Sequence, residues 1–170
     1  MNPRDTPSRN RSAYTLVEVL VVVTILGIAS ALVVPSMLSA GSLGIQAAAR
    51  LVVADILFAQ NEAIAAQATR RVVFDDPATT DAYRLTDGAG ATLTMGWVSG
   101  EDGNYAVDFR TDDRFQGIEI RAVDFDGAAT LAFDDLGSPL LSNEGFVRIG
   151  QRDQELTIRI QPFTGRVTID

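Results

Sequence analysis

The longest apolar stretch of the chain runs from Tyr14 to Val34, and its only charged residue is Glu18. A helix of these 21 residues is about 31 Å long, which matches the roughly 30 Å hydrocarbon core of a bilayer. The pattern predicts a transmembrane helix over 14–34. Three basic residues, Arg4, Arg9 and Arg11, precede it, so the positive-inside rule predicts a cytoplasmic amino terminus and an extracytoplasmic remainder.

Helix-breaking residues follow the apolar stretch. Pro35 removes a backbone donor and predicts a helix kink, and Gly41 and Gly44 lie among serines. We expect a flexible or partly melted stretch here, and it could be an ordinary linker or a hinge used when the protein leaves the membrane.

An amphipathic helix is predicted from Ile45 to about Arg70, where apolar residues recur in steps of four and three. The predicted apolar stripe is Val52, Ile56, Ala59, Ala63 and Ala66, and the polar residues predicted for other faces are Asp55, Gln60, Glu62 and Gln67. A narrow, alanine-rich stripe suits packing against a sheet, and a contact with a partner helix is the alternative. Arg70 and Arg71 would then complement the negative end of the helix dipole.

Beyond Arg71 the period of the pattern changes to two, and short apolar segments alternate with turn residues. The predicted strands are Arg71–Asp75, Ala82–Thr86, Ala91–Met95, Tyr105–Arg110, Ile118–Asp124, Thr130–Asp134, Phe146–Ile149, Leu156–Gln161 and Arg166–Ile169. Many short strands with one packed helix predict an α+β fold: a long amino-terminal helix, membrane-spanning in its first half, packed on an antiparallel β-sandwich-like domain.

Composition removes most catalytic chemistry. The 170 residues include no Cys and no His, and all fourteen basic residues are Arg, so thiol nucleophiles, imidazole bases and lysine bases are absent. The abundant Ser and Thr hydroxyls therefore lack an activating base. We predict that the protein is not an enzyme and needs no cofactor.

Acidic pairs are the densest polar groups in a chain of net charge −8. These pairs are Asp75-Asp76, Asp112-Asp113, Asp124 with Asp126, and Asp134-Asp135. Calcium would need six to eight oxygens, and none of the pairs follows the spaced calcium-loop pattern. Solvated turn residues are the favoured interpretation, and no metal site is predicted.

Glu18 decides how the apolar segment is interpreted. A secretory signal peptide seldom carries a carboxylate at the front of its apolar stretch, and the candidate cut after Ala40 has an unsuitable Leu38 two places earlier. In a plain membrane anchor the charge would carry a cost. A third alternative is a capping box over Thr15–Glu18, in which the positive end of the helix dipole favours the carboxylate.

The junction Ser12-Ala13-Tyr14-Thr15-Leu16-Val17-Glu18-Val19-Leu20 resembles the processing site of type IV prepilins and type II secretion pseudopilins. The resemblance implies leader cleavage between Ala13 and Tyr14, N-methylation of Tyr14, and a role in assembly for Glu18, the fifth mature residue. Pro35 would be the twenty-second, which also fits the family. Ala13 departs from the glycine usual before the cut.

This spacing has a physical consequence. Cleavage before Tyr14 would create an α-amine, normally protonated at neutral pH, one helical turn from the Glu18 carboxylate. The two charges could compensate one another within one subunit, or between the amine of a new subunit and Glu18 of its neighbour. Because such a pair in a low-dielectric environment depends strongly on geometry, it would set the axial register of stacked helices.

A second resemblance lies in the carboxy-terminal strands, over 131–139 and 160–169, which look like those of H-type minor pseudopilins, a group that includes FimT-like minor pilins. The resemblance implies a minor pseudopilin of a type II secretion system in the bacterial inner membrane, with a FimT-like minor pilin of a type IV pilus as the alternative. Its partners would be the prepilin peptidase/methyltransferase and the major and other minor pseudopilins.

The resulting organisation is a leader over 1–13, a transmembrane and assembly helix over 14–34, a linker and amphipathic helix over 35–71, and a β-rich domain over 72–170. DNA contact is a less favoured possibility, because the body is acidic and repels phosphate. Its candidate residues are Arg148, Arg159 and Arg166 in the last strands.

Overall fold

The computed structural model describes residues 15–94 and 103–170, and over 31–42 it describes the backbone alone. Helix α1 runs from Leu16 to Ala66. A 3₁₀ turn occupies Asp113–Phe115. The strands are β1 Arg70–Phe74, β2 Ala82–Asp87, β3 Ala106–Asp108, β4 Glu119–Asp124, β5 Thr130–Phe133, β6 Gly145–Gln151, β7 Gln154–Ile160 and β8 Val167–Ile169.

Contacts divide the chain into two units, residues 1–39 and 40–170. The second unit contains two four-stranded antiparallel sheets. The first sheet has the order β3-β2-β1-β5, and the second has the order β4-β6-β7-β8. The predicted α+β fold, with the helix packed on antiparallel sheets, is confirmed.

The core lies between the two sheets and the second half of α1. The buried helix residues are Ile45, Ala48, Ala49, Val52, Ile56, Ala59 and Ala63. They join one cluster with alternate residues of both sheets, such as Leu85 and Leu131 of the first sheet and Ile149 and Ile158 of the second. Small alanines let the helix backbone approach the strands closely, and strand alternation aims every second side chain at it.

The predicted helix differs from the structure at its carboxyl end. The helix stops at Ala66, and Ala66 is exposed rather than part of the buried stripe. Gln67 adopts a positive φ of 48°, and the N–H of Ala68 donates to the carbonyl of Ala63 at 3.1 Å, which closes the last turn. Arg70 and Arg71 therefore begin β1 instead of ending the helix.

The helix also continues through residues 35–44, where the sequence predicts a partly melted stretch. That prediction is wrong for the backbone. A single proline removes only one intrahelical hydrogen bond, and the surrounding Ala, Leu and Met residues favour helix. The predicted kink at Pro35 stays a prediction.

Eight of the nine predicted strands correspond to assigned strands within a few residues. The exception is 91–95, of which Met95 lies outside the described residues. In the described part, Thr92 and Thr94 make isolated bridges to Thr86 and Asn104. Leu93 bonds to two different segments: its N–H donates to the carbonyl of Leu85 at 2.8 Å, and its carbonyl accepts from the N–H of Tyr105 at 2.9 Å. The segment therefore follows the edge of the first sheet without becoming a regular strand.

Candidate functional site

Thr15 caps the start of α1. Its hydroxyl Oγ1 accepts a hydrogen bond from the backbone N–H of Glu18 at 3.2 Å, and its carbonyl accepts from Val19 at 3.2 Å. A threonine cap satisfies a helix N–H that would otherwise lack a partner. Glu18 is exposed in the first turn, where the helix dipole favours a negative charge. The capping interpretation thus holds for the threonine and does not conflict with a second role for the carboxylate.

Every described side chain from Leu16 to Ser30 is exposed, and the apolar ones surround the helix on all sides. Leu16 is 82% exposed. The two hydroxyls in this segment bond to the helix itself, since Thr24 donates to the carbonyl of Leu20 at 2.8 Å and Ser30 to that of Leu26 at 2.7 Å. A helix that is apolar all round and hides its polar groups suits a hydrocarbon environment.

Two parts of α1 are apolar enough to consider as membrane segments. Leu43–Ala66 meets the length and composition of a span, and Leu16–Ser30 is a shorter apolar helix. The former carries Arg50, Asp55 and Glu62 and contributes a row of fully buried residues to the domain core, so it is a core helix. The sequence continues the shorter segment with apolar residues to Val34, and the predicted span over 14–34 stays a prediction.

The predicted leader cleavage site, Ala13 and Tyr14, lies outside the described residues. Glu18 stands one turn after Tyr14 in sequence, at the start of the exposed apolar helix.

A buried carboxylate attaches α1 to the first sheet. Asp55 is only 6% exposed, and its two oxygens accept hydrogen bonds from two phenols: Tyr83 donates to Oδ2 at 2.6 Å, and Tyr105 donates to Oδ1. Burial raises the pKa of Asp55, which the two phenol hydrogen bonds partly oppose. Burial and the neighbouring carboxylate raise the pKa of both tyrosines. The three groups form a bridge between the helix, β2 and the segment before β3.

The sequence prediction assigned Asp55 to a polar face, and that was wrong. Helical spacing gives the reason: Val52, Ile56 and Ala59 are buried, and position 55 lies beside them at the margin of the same face. A polar residue at the margin of an apolar stripe could have signalled a buried hydrogen-bonded group. Its tyrosine partners could not be identified from spacing, because they come from residues 28 and 50 positions away.

A second buried carboxylate ties the sheets together. Asp81 precedes β2 in the first sheet, and it accepts from the N–H of Ile120 in β4 at 2.8 Å and from Arg110 Nε at 2.6 Å. Because a buried carboxylate needs such partners, the pair of contacts holds the two sheets at this edge. The sequence prediction did not single out Asp81.

The three candidate DNA-contacting arginines do not form a free basic stripe. Arg159 pairs with Glu144 at 2.7 Å and with Asp170 at 2.9 Å. Arg148 Nε lies 3.0 Å from a Glu155 carboxylate oxygen. Of the three, Arg166 alone makes no ion pair with the described residues. Local carboxylates thus neutralise most of this surface.

We therefore expect the full chain in detergent to leave double-stranded DNA unshifted in a gel assay at physiological salt, because phosphate binding needs unpaired cations. The comparison variant is Arg159→Ala/Arg166→Ala. A salt-dependent shift that this double variant loses would contradict the expectation.

Within residues 15–94 and 103–170, no three acidic side chains come together as a metal site would require. Two residues of the acidic pairs instead accept hydrogen bonds from backbone N–H groups. Asp126 accepts from the N–H groups of Ser142 and Asn143 at 2.6 and 3.2 Å, and Asp134 accepts from those of Leu136 and Ser138 at 3.0 and 2.7 Å.

A protein-family model matches the amino-terminal part of the chain. The model of the prokaryotic N-terminal methylation motif matches residues 8–34, which contain the whole predicted junction. A search of curated proteins gives no match.

Two solved structures share the fold. Both are of the type IV minor pilin FimU of Pseudomonas aeruginosa PAO1, in two crystal forms. One is 18% identical with a TM-score of 0.51, and the alignment covers 74% of this chain and 87% of that chain. The other is 15% identical with a TM-score of 0.52 and coverage of 74% and 91%.

The methylation motif and the fold together support a type IV pilin-like family for this chain. The resemblance found at the amino-terminal junction is confirmed at this level.

Proposed function

We propose that the chain is a minor subunit of a pilin-type filament. In this scheme α1 anchors the protein in the membrane, the leader is cleaved before Tyr14, and the mature protein joins the filament through the same helix. The match to the methylation motif over residues 8–34 is the observation that carries this proposal, since the range includes both the predicted cleavage site and the apolar helix.

The exposed apolar half of α1 supports the membrane stage. Outside a membrane or filament, about fifteen residues of uncovered apolar helix would be an aggregation hazard. Arg4, Arg9 and Arg11 favour a cytoplasmic amino terminus, with the β-rich domain beyond the inner membrane. The partners in this scheme are a prepilin peptidase/methyltransferase and the major and other minor subunits.

We propose that the filament is the pseudopilus of a type II secretion system, because residues 131–139 and 160–169 resemble the corresponding strands of H-type pseudopilins. A minor subunit of a type IV pilus is the second candidate, and the fold shared with the minor pilin FimU favours it. Neighbouring genes would separate them: secretin and secretion ATPase genes alone favour secretion, and retraction and DNA-uptake genes favour a pilus.

Mass spectrometry of the mature protein tests the common part of the proposal. We expect a chain that begins at Tyr14 and carries one methyl group on its amine, because the junction over 12–20 resembles a prepilin processing site and lies within the matched motif. Ala13→Gly serves as the comparison, and it should be processed at least as completely. A chain that retains residues 1–13, or one that begins after Val34, would refute the proposal.

A further inference from the structure

Strand β8 leaves its outer edge open, because the second sheet ends there. Thr157 of β7 and Asp170 exchange both backbone hydrogen bonds at 2.9 Å. In an antiparallel ladder such bonded pairs alternate with unbonded pairs, so Thr168 is also bonded to β7. The N–H and C=O groups of Val167 and Ile169 therefore point away from β7. These four backbone groups are available to a further strand.

Two other sheet edges are closed. At β4, the Asp81 carboxylate accepts the N–H of Ile120 at 2.8 Å. Beside β5, the N–H of Leu140 donates to the carbonyl of Ala132 at 2.8 Å, and the preceding Pro139 has no N–H for another strand. Such devices prevent sheets from pairing edge to edge. Among the described residues, no hydrogen bond reaches the four outer groups of β8.

A groove lies between β8 and α1, and its volume is about 250 Å³. Its lining residues are Gln46, Ala49, Arg50, Leu156, Ile169 and Asp170. Val167 and Ile169 stand opposite Ile160 and Ile158, which are buried, so all four side chains are on the face of the sheet that meets the core. Ile169 is nevertheless 41% exposed. A further strand beside β8 would cover this side chain.

Arg50 brings an unpaired charge to this groove. It has no ion pair or hydrogen bond with any residue that the structure describes. Asp170 also lines the groove, but its carboxylate is bound to Arg159 at 2.9 Å. A strand laid in the groove would cover the guanidinium, and burial of a cation without a counter-charge is costly. The groove therefore favours a strand that carries a carboxylate.

We propose that β8 receives an extended segment of another filament subunit as the fifth strand of the second sheet. The segment is antiparallel to β8, as every pair in this sheet is, and it presents aliphatic side chains beside Val167 and Ile169 and a carboxylate to Arg50. In such strand addition the backbone bonds supply affinity and the alternate side chains supply specificity. The inference rests on the proposed function for the source of the segment.

Pairing of β8 with β8 of a second copy does not meet these requirements. The acid that it would bring is Asp170, which is already bound to Arg159. Glu18, the carboxylate of the apolar helix, lies in helical backbone whose polar groups bond within the helix, so it cannot supply an added strand. Charge and backbone pairing together favour a segment of a different chain.

A peptide tests strand addition on the full chain in detergent. The probe is fluorescein-Asp-Thr-Val-Thr-Val-Thr-amide, whose acid and two valines lie on one face of an extended strand. We expect saturable binding, measured by fluorescence anisotropy, and Arg50→Ala should weaken it about tenfold. Asn in place of the peptide's Asp should weaken binding equally, with no further loss when both changes are combined, because the two charges act on each other.

N-methylation of the peptide distinguishes strand addition from a simple apolar contact. Methyl groups on the backbone nitrogens of both valines remove the N–H groups that face β8 and should abolish binding. The matched control carries the same two methyl groups on the threonines that flank the first valine. The N–H groups of these threonines face away from β8, so the control peptide should bind.

Hydrogen exchange locates the contact. With the peptide bound, the N–H groups of Val167 and Ile169 should exchange about tenfold more slowly, and that of Thr168, already bonded to β7, should change little. Arg50→Ala should keep the unfolding midpoint of the wild type, since this side chain is exposed.

Three results would overturn the inference: no peptide binding, equal binding of the two N-methylated peptides, or protection from exchange that misses β8. Leader removal and methylation of Tyr14 do not involve β8. Normal processing together with any of these results would therefore refute this inference alone.

Discussion

Glu18→Ala should insert into the membrane normally and fail to enter a filament. Glu18 is the only charged residue between Arg11 and Arg50, and its removal makes the apolar helix easier to insert, since a charge within a span costs up to about 2.5–3.5 kcal/mol. Filament entry should fail because the α-amine of Tyr14 loses the carboxylate that sets its register. Membrane fractionation and crosslinking to a partner pilin would measure the two steps separately.

Two control variants identify the cause. Glu18→Gln keeps the shape of the side chain without its charge and should also fail to enter the filament. Thr15→Ala removes the helix cap, at a cost of about 1 kcal/mol, and should still be incorporated. Normal incorporation of Glu18→Ala, or equal failure of all three variants, would defeat the proposal that the charge itself directs assembly.

Asp55→Ala should destabilise the domain by about 2–3 kcal/mol, since it removes the charged acceptor of two phenol hydrogen bonds and leaves the buried Tyr83 hydroxyl without a partner. Chemical unfolding of the full chain in detergent, followed by circular dichroism, would measure this loss. Asn61→Ala, on the exposed face of the same helix, should change stability by less than about 0.5 kcal/mol. Equal stability of Asp55→Ala and wild type would show that the bridge contributes nothing.

Asp55 should also make the stability of the folded domain depend on pH. Burial raises the pKa of Asp55 in the folded state above its ordinary value, so the folded state binds the proton more tightly than the unfolded state. The contribution of this group to stability is then fully present below the ordinary aspartate pKa, and it is lost as pH rises through the raised value. Asp55→Asn should remove this component, so its stability deficit relative to wild type should shrink as pH rises through that window. A deficit that is constant with pH would contradict the assignment.

Local patterns in the sequence were enough to predict the elements of the fold. Period-two alternation located eight of the strands, because each strand buries one face against the helix or the other sheet. The apolar stretch and Glu18 pointed to the pilin-like class before any coordinate was known, since a span and a processing site are both contiguous in sequence.

Contacts between residues far apart in the chain decided the order of the strands and the partners of the charged groups. The partition of the strands into two sheets, with β5 beside β1 and β4 beside β6, depends on contacts between residues far apart in the chain. In the sequence, Asp55 and Asp81 look like ordinary surface acids. In the folded chain, Asp55 accepts hydrogen bonds from Tyr83 and Tyr105, and Asp81 accepts one from the N–H of Ile120. The arginines Arg148 and Arg159 look like a basic stripe until folding brings Glu155, Glu144 and Asp170 alongside.

The amino-acid sequence alone therefore determined the class of this protein, its apolar helix and the succession of strands, because these depend on neighbouring residues and on the periods of helix and strand. Only the tertiary structure decided which charges are neutralised and which carboxylates are buried. The reason is physical: the energy of a charge depends on its burial and its partners, and folding supplies both from distant parts of the chain.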